Sequence, residues 1–66
     1  MDIFLNGQPH AVDAGLSLAQ LLEKTGHAQR RVAVEVNREI VPRGAQVAHI
    51  LRDGDRVEIV QAIGGG

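Results

Sequence analysis

The side chains of this chain offer little for catalysis. There is no cysteine among the 66 residues, so no side chain can form a thiolate nucleophile, a disulfide or a persulfide. The histidines His10, His27 and His49 share no spacing typical of metal ligands, and we predict no metal site. Ser17 is the single serine and stands where a helix N-cap is expected, with no visible Ser-His-Asp arrangement. We therefore predict that the chain is not itself an enzyme.

The group best suited to chemistry is the carboxylate at the end of Ala62-Ile63-Gly64-Gly65-Gly66. Glycine has no Cβ, so a glycine segment can enter a narrow channel in another protein, and residues 62–66 are expected to form a flexible tail. Five extended residues reach at most about 17–18 Å. The carboxylate is ionised at neutral pH and must be activated before a nucleophile attacks it. A frayed end is the simpler alternative, but a strand pattern leads directly into the glycines, and we predict Gly66 as the reacting residue.

The pattern before the tail predicts the order strand, strand, helix, strand, strand, short helix, strand. Asn6-Gly7 is typical of a tight hairpin turn, and Pro9 indicates an edge strand. Val47, Ile50 and Leu51 stand at helical spacing and indicate one or two helical turns. The expected strands are 2–6, 8–12, 31–36, 39–41 and 56–61, the main helix is 18–25, and the short helical segment lies within 44–51.

Signals at both ends define the main helix. Ser17 and Gln20 match a capping box, and Leu16 and Leu21 occupy the positions of a hydrophobic staple. Gly26 is placed to end the helix in the left-handed conformation. The apolar stripe of this helix faces the sheet in the expected core, which comprises Ile3, Leu5, Leu18, Leu21, Leu22, Val32, Val34, Val57 and Ile59.

The first and last strands cannot be joined by a short turn, and their natural packing is parallel and side by side in the middle of the sheet. This predicts an α+β protein with the β-grasp, or ubiquitin-like, architecture. It has a mixed sheet of about five strands, one main helix packed across it and a short second helix. Residues 1–61 would form the β-grasp domain.

Two apolar residues lie on the sheet face opposite the helix by strand alternation, Phe4 and Val60. Isolated exposed apolar residues are common. We nevertheless interpret the pair, with Ala62 and Ile63, as a docking patch for partner proteins. The charged neighbours that would orient a partner at its edge are Arg56, Glu58 and Glu35.

Charge and hydropathy exclude several classes of protein. The net charge is −1, eight acids are interleaved with seven bases, and one phenylalanine offers no stacking platform, so nucleic-acid binding is not expected. No apolar stretch approaches the roughly 18 residues that span a membrane, and no signal-peptide pattern opens the chain. We expect a cytoplasmic protein that is a monomer when free.

Three segments resemble the thiamine-biosynthesis sulfur carrier family, whose members are ubiquitin-like and end in Gly-Gly. They are Val36-Asn37-Arg38-Glu39-Ile40-Val41-Pro42-Arg43, Asp53-Gly54-Asp55 and Ile63-Gly64-Gly65-Gly66. The resemblance covers the whole chain, and Asn37 through Arg43 separates this family from its relatives better than the tail does. Gly64 precedes the usual pair, where it only lengthens the flexible part.

The resemblance implies a reaction sequence carried out by partners. An adenylating enzyme uses ATP and magnesium to convert the Gly66 carboxylate to an acyl-adenylate. Sulfur from a cysteine-derived persulfide, delivered by sulfur-transfer proteins, replaces AMP and leaves a thiocarboxylate. A thiazole synthase then takes the sulfur into the thiazole ring of thiamine. The carrier itself would bind no cofactor.

Three alternatives stay open at this stage. The first is the small subunit of molybdopterin synthase, a related carrier with the same tail chemistry whose members are usually longer. The second is a ubiquitin-type modifier joined to target lysines, although the single lysine, Lys24, suits polymer formation poorly. The third is an interaction domain whose glycines are inert.

Overall fold

Five strands and two helices make up the computed structural model, which describes residues 1–61. The predicted tail residues Ala62, Ile63, Gly64, Gly65 and Gly66 lie outside the described residues, so the division at residue 61 stays a prediction. The elements are β1 (Asp2–Leu5), β2 (Gln8–Ala11), α1 (Leu18–Lys24), β3 (Val32–Val36), β4 (Glu39–Ile40), α2 (Arg43–Gln46) and β5 (Arg56–Gln61).

The strands form one mixed sheet in the order β2-β1-β5-β3-β4. β1 and β5 are parallel neighbours, with Phe4 opposite Arg56 and Leu5 opposite Val57. The β1–β2, β3–β4 and β3–β5 pairs are antiparallel. The predicted β-grasp arrangement is therefore confirmed, and β2, which contains Pro9, is an edge strand as expected.

Both tight turns of the sheet use left-handed backbone at asparagine. Asn6 (φ 49°) and Gly7 (φ 83°) connect β1 to β2, as the Asn-Gly pair predicts. Asn37 (φ 52°) and Arg38 (φ 70°) connect β3 to β4 in the same way. Asparagine tolerates this conformation better than most residues, which explains why the chain reverses at these two points.

Helix α1 has the ends that its sequence predicts. The Ser17 hydroxyl accepts a hydrogen bond from the Gln20 N–H at 3.1 Å, and the Ser17 N–H donates to Gln20 Oε1 at 2.9 Å. At the other end, Gly26 (φ 81°) lets the His27 N–H reach the Leu22 carbonyl at 2.8 Å. These bonds satisfy backbone groups that a helix terminus would otherwise leave free.

One core lies between α1 and the sheet. Every predicted core residue takes part, although Leu5, Val32 and Ile59 are only partly buried at its edge. Among the described residues, the fully buried large side chains are Ile3, Leu18, Leu21, Val34 and Val57. Leu16, Val41 and Leu51 lie in segments that connect the strands and helices, and their buried side chains complete the core.

The predicted short second helix is confirmed, but it is a single turn at Arg43–Gln46, and the spacing of Val47, Ile50 and Leu51 that suggested it does not form a helical face. α2 ends at Gln46, and Val47 and Ile50 are 71% and 51% exposed. Gln46 is buried instead, and its amide donates to the Val41 carbonyl at 3.2 Å. Residues 49–51 run beside 16–18 and exchange backbone hydrogen bonds with them, so the chain there is extended rather than helical.

Neither helix in the described part of the chain is long and apolar enough to cross a membrane.

Candidate functional site

β5 is the element that positions the predicted tail, because it is the last strand before residue 62. A polar cluster fixes its beginning. The Asn37 amide donates to Asp55 Oδ1 at 3.0 Å, and the Asn37 side-chain oxygen accepts from the Arg56 N–H at 3.0 Å. Asp55 is buried and also accepts from the Arg52 N–H at 2.9 Å. The start of β5 is therefore held by side-chain hydrogen bonds as well as by pairing with the neighbouring strands.

Asn6 continues the β1–β5 pairing past the end of β1. The Asn6 N–H donates to the Val57 carbonyl at 2.8 Å, and the Ile59 N–H donates to Asn6 Oδ1 at 2.8 Å. The side chain thus supplies the next acceptor at the point where the backbone turns away into the hairpin. The sequence predicted Asn6 only as the end of the first strand and part of the turn, since its bond to a residue 53 positions away has no local signal.

The partner strand β3 supports β5 to its end. Val60 is opposite Ala33, and Gln61 is opposite Val32. The described part of β5 therefore delivers the chain to residue 62 from the middle of the sheet, held by β3 on one side.

Phe4 and Val60 share the open face of the sheet, as predicted, and are 36% and 54% exposed. Their side chains do not contact each other. Phe4 is opposite Arg56, whose guanidinium carbon lies 5.3 Å from the centre of the ring. Val60 is four residues further along β5, which separates the two positions by about 13 Å, with Glu58 between them on the same face. Their role in docking stays a prediction, and its Ala62 and Ile63 part lies outside the described residues.

A third exposed apolar residue on this face was missed. Ile40 is 70% exposed and lies opposite Glu35, which in turn is opposite Glu58. Strand alternation could have identified it, since Ile40 is out of phase with the buried Val41. The open face therefore has apolar residues at three separate points around two acidic side chains.

A profile of the ThiS family matches residues 3–66. The chain belongs to the ThiS family. It is 38% identical over its whole length to the sulfur carrier protein ThiS of Escherichia coli, all of which it covers. The crystal structure of the thiamine biosynthesis protein ThiS from Geobacter metallireducens superimposes with a TM-score of 0.87 at 39% identity, each chain being covered completely. The predicted resemblance to thiamine-biosynthesis sulfur carriers is confirmed.

A longer relative of this chain has a different name. The chain is 47% identical over its full length to a protein of Magnetococcus marinus named thiazole synthase, but it spans only 20% of that relative. A ThiS-like region therefore makes up one fifth of a longer protein in that organism. The E. coli relative shows that the same region also occurs as a separate chain.

Two side chains of types common in catalysis have structural contacts in the described part of this ThiS-family chain. The Ser17 hydroxyl caps α1, and His27 Nδ1 lies 2.9 Å from the Thr25 hydroxyl at the opposite end of that helix. Within residues 1–61, no group of three or more metal-ligating side chains is assembled. Residues 1–61 provide a sheet in which side-chain and backbone hydrogen bonds hold β5, with apolar residues on its open face.

Proposed function

We propose that this chain is a sulfur carrier for thiamine biosynthesis and that the carboxylate of Gly66 is its reacting group. The observation that carries the proposal is that the ThiS family match extends to residue 66, while the central strand β5 runs to Gln61. The segment Ala62-Ile63-Gly64-Gly65-Gly66 then follows directly from the best-supported strand of the domain. With no cysteine in the chain, sulfur cannot be carried as a side-chain persulfide.

The proposed chemistry proceeds at the Gly66 carboxyl carbon. A partner adenylating enzyme, with ATP and magnesium, joins the carboxylate to AMP and releases pyrophosphate. The outer sulfur of a persulfide on a sulfur-transfer protein attacks that carbon, and AMP leaves. A second thiol cleaves the resulting sulfur–sulfur bond, which leaves a thiocarboxylate on Gly66 and a disulfide between the two thiols.

The chain would contribute geometry rather than catalysis to these steps. Gly64 and Gly65 lack Cβ atoms, so they fit a channel that larger residues would block. Phe4 and Val60, with Ala62 and Ile63, would contact the partner outside the channel. Correct placement of a reacting group can account for several kcal/mol of a barrier, and placement is the contribution that the proposal assigns to this chain.

Thiazole synthase is the proposed recipient of the sulfur. In the Magnetococcus relative, a region like this chain belongs to a protein that carries that name. Attachment of a carrier to the enzyme that uses it raises their effective concentration, which supports a functional link between them. We further propose that the separate carrier acts as a monomer in the cytoplasm.

The test combines two measurements on the purified chain with the adenylating enzyme. ATP–pyrophosphate exchange that depends on the carrier reports adenylation. With a sulfur donor added, the intact mass should rise by the difference between one sulfur and one oxygen. Conjugates with other proteins would instead indicate a ubiquitin-type modifier, and no mass change with no exchange would indicate inert glycines.

A gene deletion separates the two sulfur-carrier pathways. Loss of the chain should create a requirement for the thiazole part of thiamine. A defect confined to molybdenum cofactor enzymes would instead favour the molybdopterin synthase alternative. Restoration of growth by the intact chain, and not by a chain without Gly66, would connect the pathway to the proposed reacting group.

A further inference from the structure

Two exposed arginines lie where β5 reaches the end of the described chain. Arg31 directly precedes Val32, which is paired with Gln61. Arg30 lines a shallow surface groove of about 320 Å³, and Gln61 is among the other residues that line it. Both residues therefore lie beside the point at which the chain continues towards residue 62.

A third arginine is joined to the same surface by a hydrogen bond. The Arg43 guanidinium donates to the Arg30 carbonyl at 3.2 Å, although the two residues are 13 positions apart. Arg43 is itself exposed. The fold thus places the Arg43 side chain against the segment that contains Arg30 and Arg31. We name Arg30, Arg31 and Arg43 the basic cluster.

No acidic residue near Arg30 and Arg31 in the sequence offsets their positive charge. No aspartate or glutamate occurs between Glu23 and Glu35, a stretch that contains Arg30 and Arg31. The rest of the chain, without the basic cluster, has eight acidic and four basic residues. A chain of net charge −1 therefore has a positive end at the exit of β5 and an acidic excess elsewhere.

We propose that the basic cluster docks against an acidic rim on the adenylating enzyme, around the channel that takes the tail. This inference rests on the proposed function. A tail with a reach of about 17–18 Å can enter a channel only if the end of β5 comes close to its mouth. Arg30 and Arg31 then face that mouth, and arginine forms paired hydrogen bonds with carboxylates.

The nature of the partner follows from charge and from the open face. A nucleic acid is not favoured, because the net charge is −1 and the single phenylalanine, Phe4, offers no stacking platform. The adenylating enzyme is the proposed partner because, in the proposed function, every later step follows its encounter with the free carrier. Charge complementarity acts chiefly on the rate of such encounters.

The experiment compares two double variants that remove equal charge. Arg30→Gln/Arg31→Gln removes the exposed cations at the exit, while Arg43 is kept because its side chain holds the loop. Arg38→Gln/Arg52→Gln is the matched control, since both residues are exposed and lie in the β3–β4 turn and before β5, at the opposite end of the sheet. ATP–pyrophosphate exchange is measured against carrier concentration at low and high salt, with RNA binding measured in parallel.

At low ionic strength, kcat/KM for the Arg30→Gln/Arg31→Gln carrier should fall by about three- to tenfold with kcat unchanged, and the difference should shrink at high salt because charges are screened. The control should stay within about twofold of the wild type on the same reasoning. Equal losses in both variants, or a loss insensitive to salt, would overturn the proposal. So would RNA binding that only the exit variant loses. Failure of the wild-type carrier to support exchange would remove the proposed function itself.

Discussion

The backbone N–H of Ile59 donates to the side-chain oxygen of Asn6 at 2.8 Å. β1 pairs with β5 only at Phe4 and Leu5 before the chain turns, so this bond adds a further link between the two central strands. Ile59 lies two residues before the end of β5. Asn6 therefore connects the hairpin turn to the strand that leads to the predicted tail.

Loss of the Asn6 side chain should loosen this end of β5. Asn6→Gly keeps the left-handed backbone favourable but removes the acceptor, and it should lower the free energy of unfolding by about 1 kcal/mol. The Ile59 amide should exchange faster with solvent. Denaturant unfolding and hydrogen exchange provide the measurements, with Asn6→Asp as the control that retains an acceptor. Unchanged exchange at Ile59 in Asn6→Gly would contradict this role.

The core should depend strongly on Leu21 and hardly at all on Val47. Leu21 is fully buried, whereas Val47 is 71% exposed. Leu21→Ala should cost roughly 2–5 kcal/mol, a large share of the roughly 3–10 kcal/mol expected for a domain of this size. Val47→Ala should cost less than about 0.5 kcal/mol. Comparable losses measured by urea denaturation would show that Val47 packs into the core.

Phe4→Ala should separate binding from folding. Phe4 is 36% exposed on the open face, so its loss should change the melting temperature little while weakening binding to the adenylating enzyme by about 1–2 kcal/mol. Titration calorimetry gives the affinity. Val60→Ala should act in the same direction. Val47→Ala, an exposed apolar residue away from the sheet, is the control, and an equal loss of affinity in it would argue against docking through the open face.

The tail prediction concerns position rather than chemical competence. Deletion of Gly66 leaves a carboxylate on Gly65 that is about 3.3–3.6 Å short along an extended chain. Since misplacement by about 1 Å can cost a hundredfold in rate, pyrophosphate exchange should be nearly lost unless Gly64 supplies slack. A residue added after Gly66 should also block adenylation.

Gly65→Val tests the width of the proposed channel. It should stop exchange and thiocarboxylate formation while leaving the melting temperature unchanged, because the proposal gives Gly65 no part in the core. Gly44→Val is the matched control, since a Cβ at Gly44 meets no atom within 4 Å. Normal exchange by both the Gly66 deletion and Gly65→Val would contradict the carrier mechanism and favour the interpretation of the glycines as a frayed end.

The sequence by itself determined the elements whose signals are local. The capping box of Ser17 and Gln20, the Asn6-Gly7 turn and the alternation along β5 each depend on backbone and side-chain preferences within a few residues. Parallel pairing of β1 with β5 also followed, because few topologies connect these elements without crossing. The segments that carry the family resemblance are likewise recognisable from the sequence alone.

The tertiary structure decided what depends on distant partners. Helical spacing suggested a segment over 44–51, but Gln46 is buried through its bond to Val41 while residues 49–51 pair with 16–18. Strand register, which no local pattern specifies, places Phe4 opposite Arg56, four residues before Val60 on β5. The tertiary structure also groups charges that are interleaved along the chain. The loop before β3 and the start of α2 meet near the end of β5, where the Arg43 guanidinium donates to the Arg30 carbonyl.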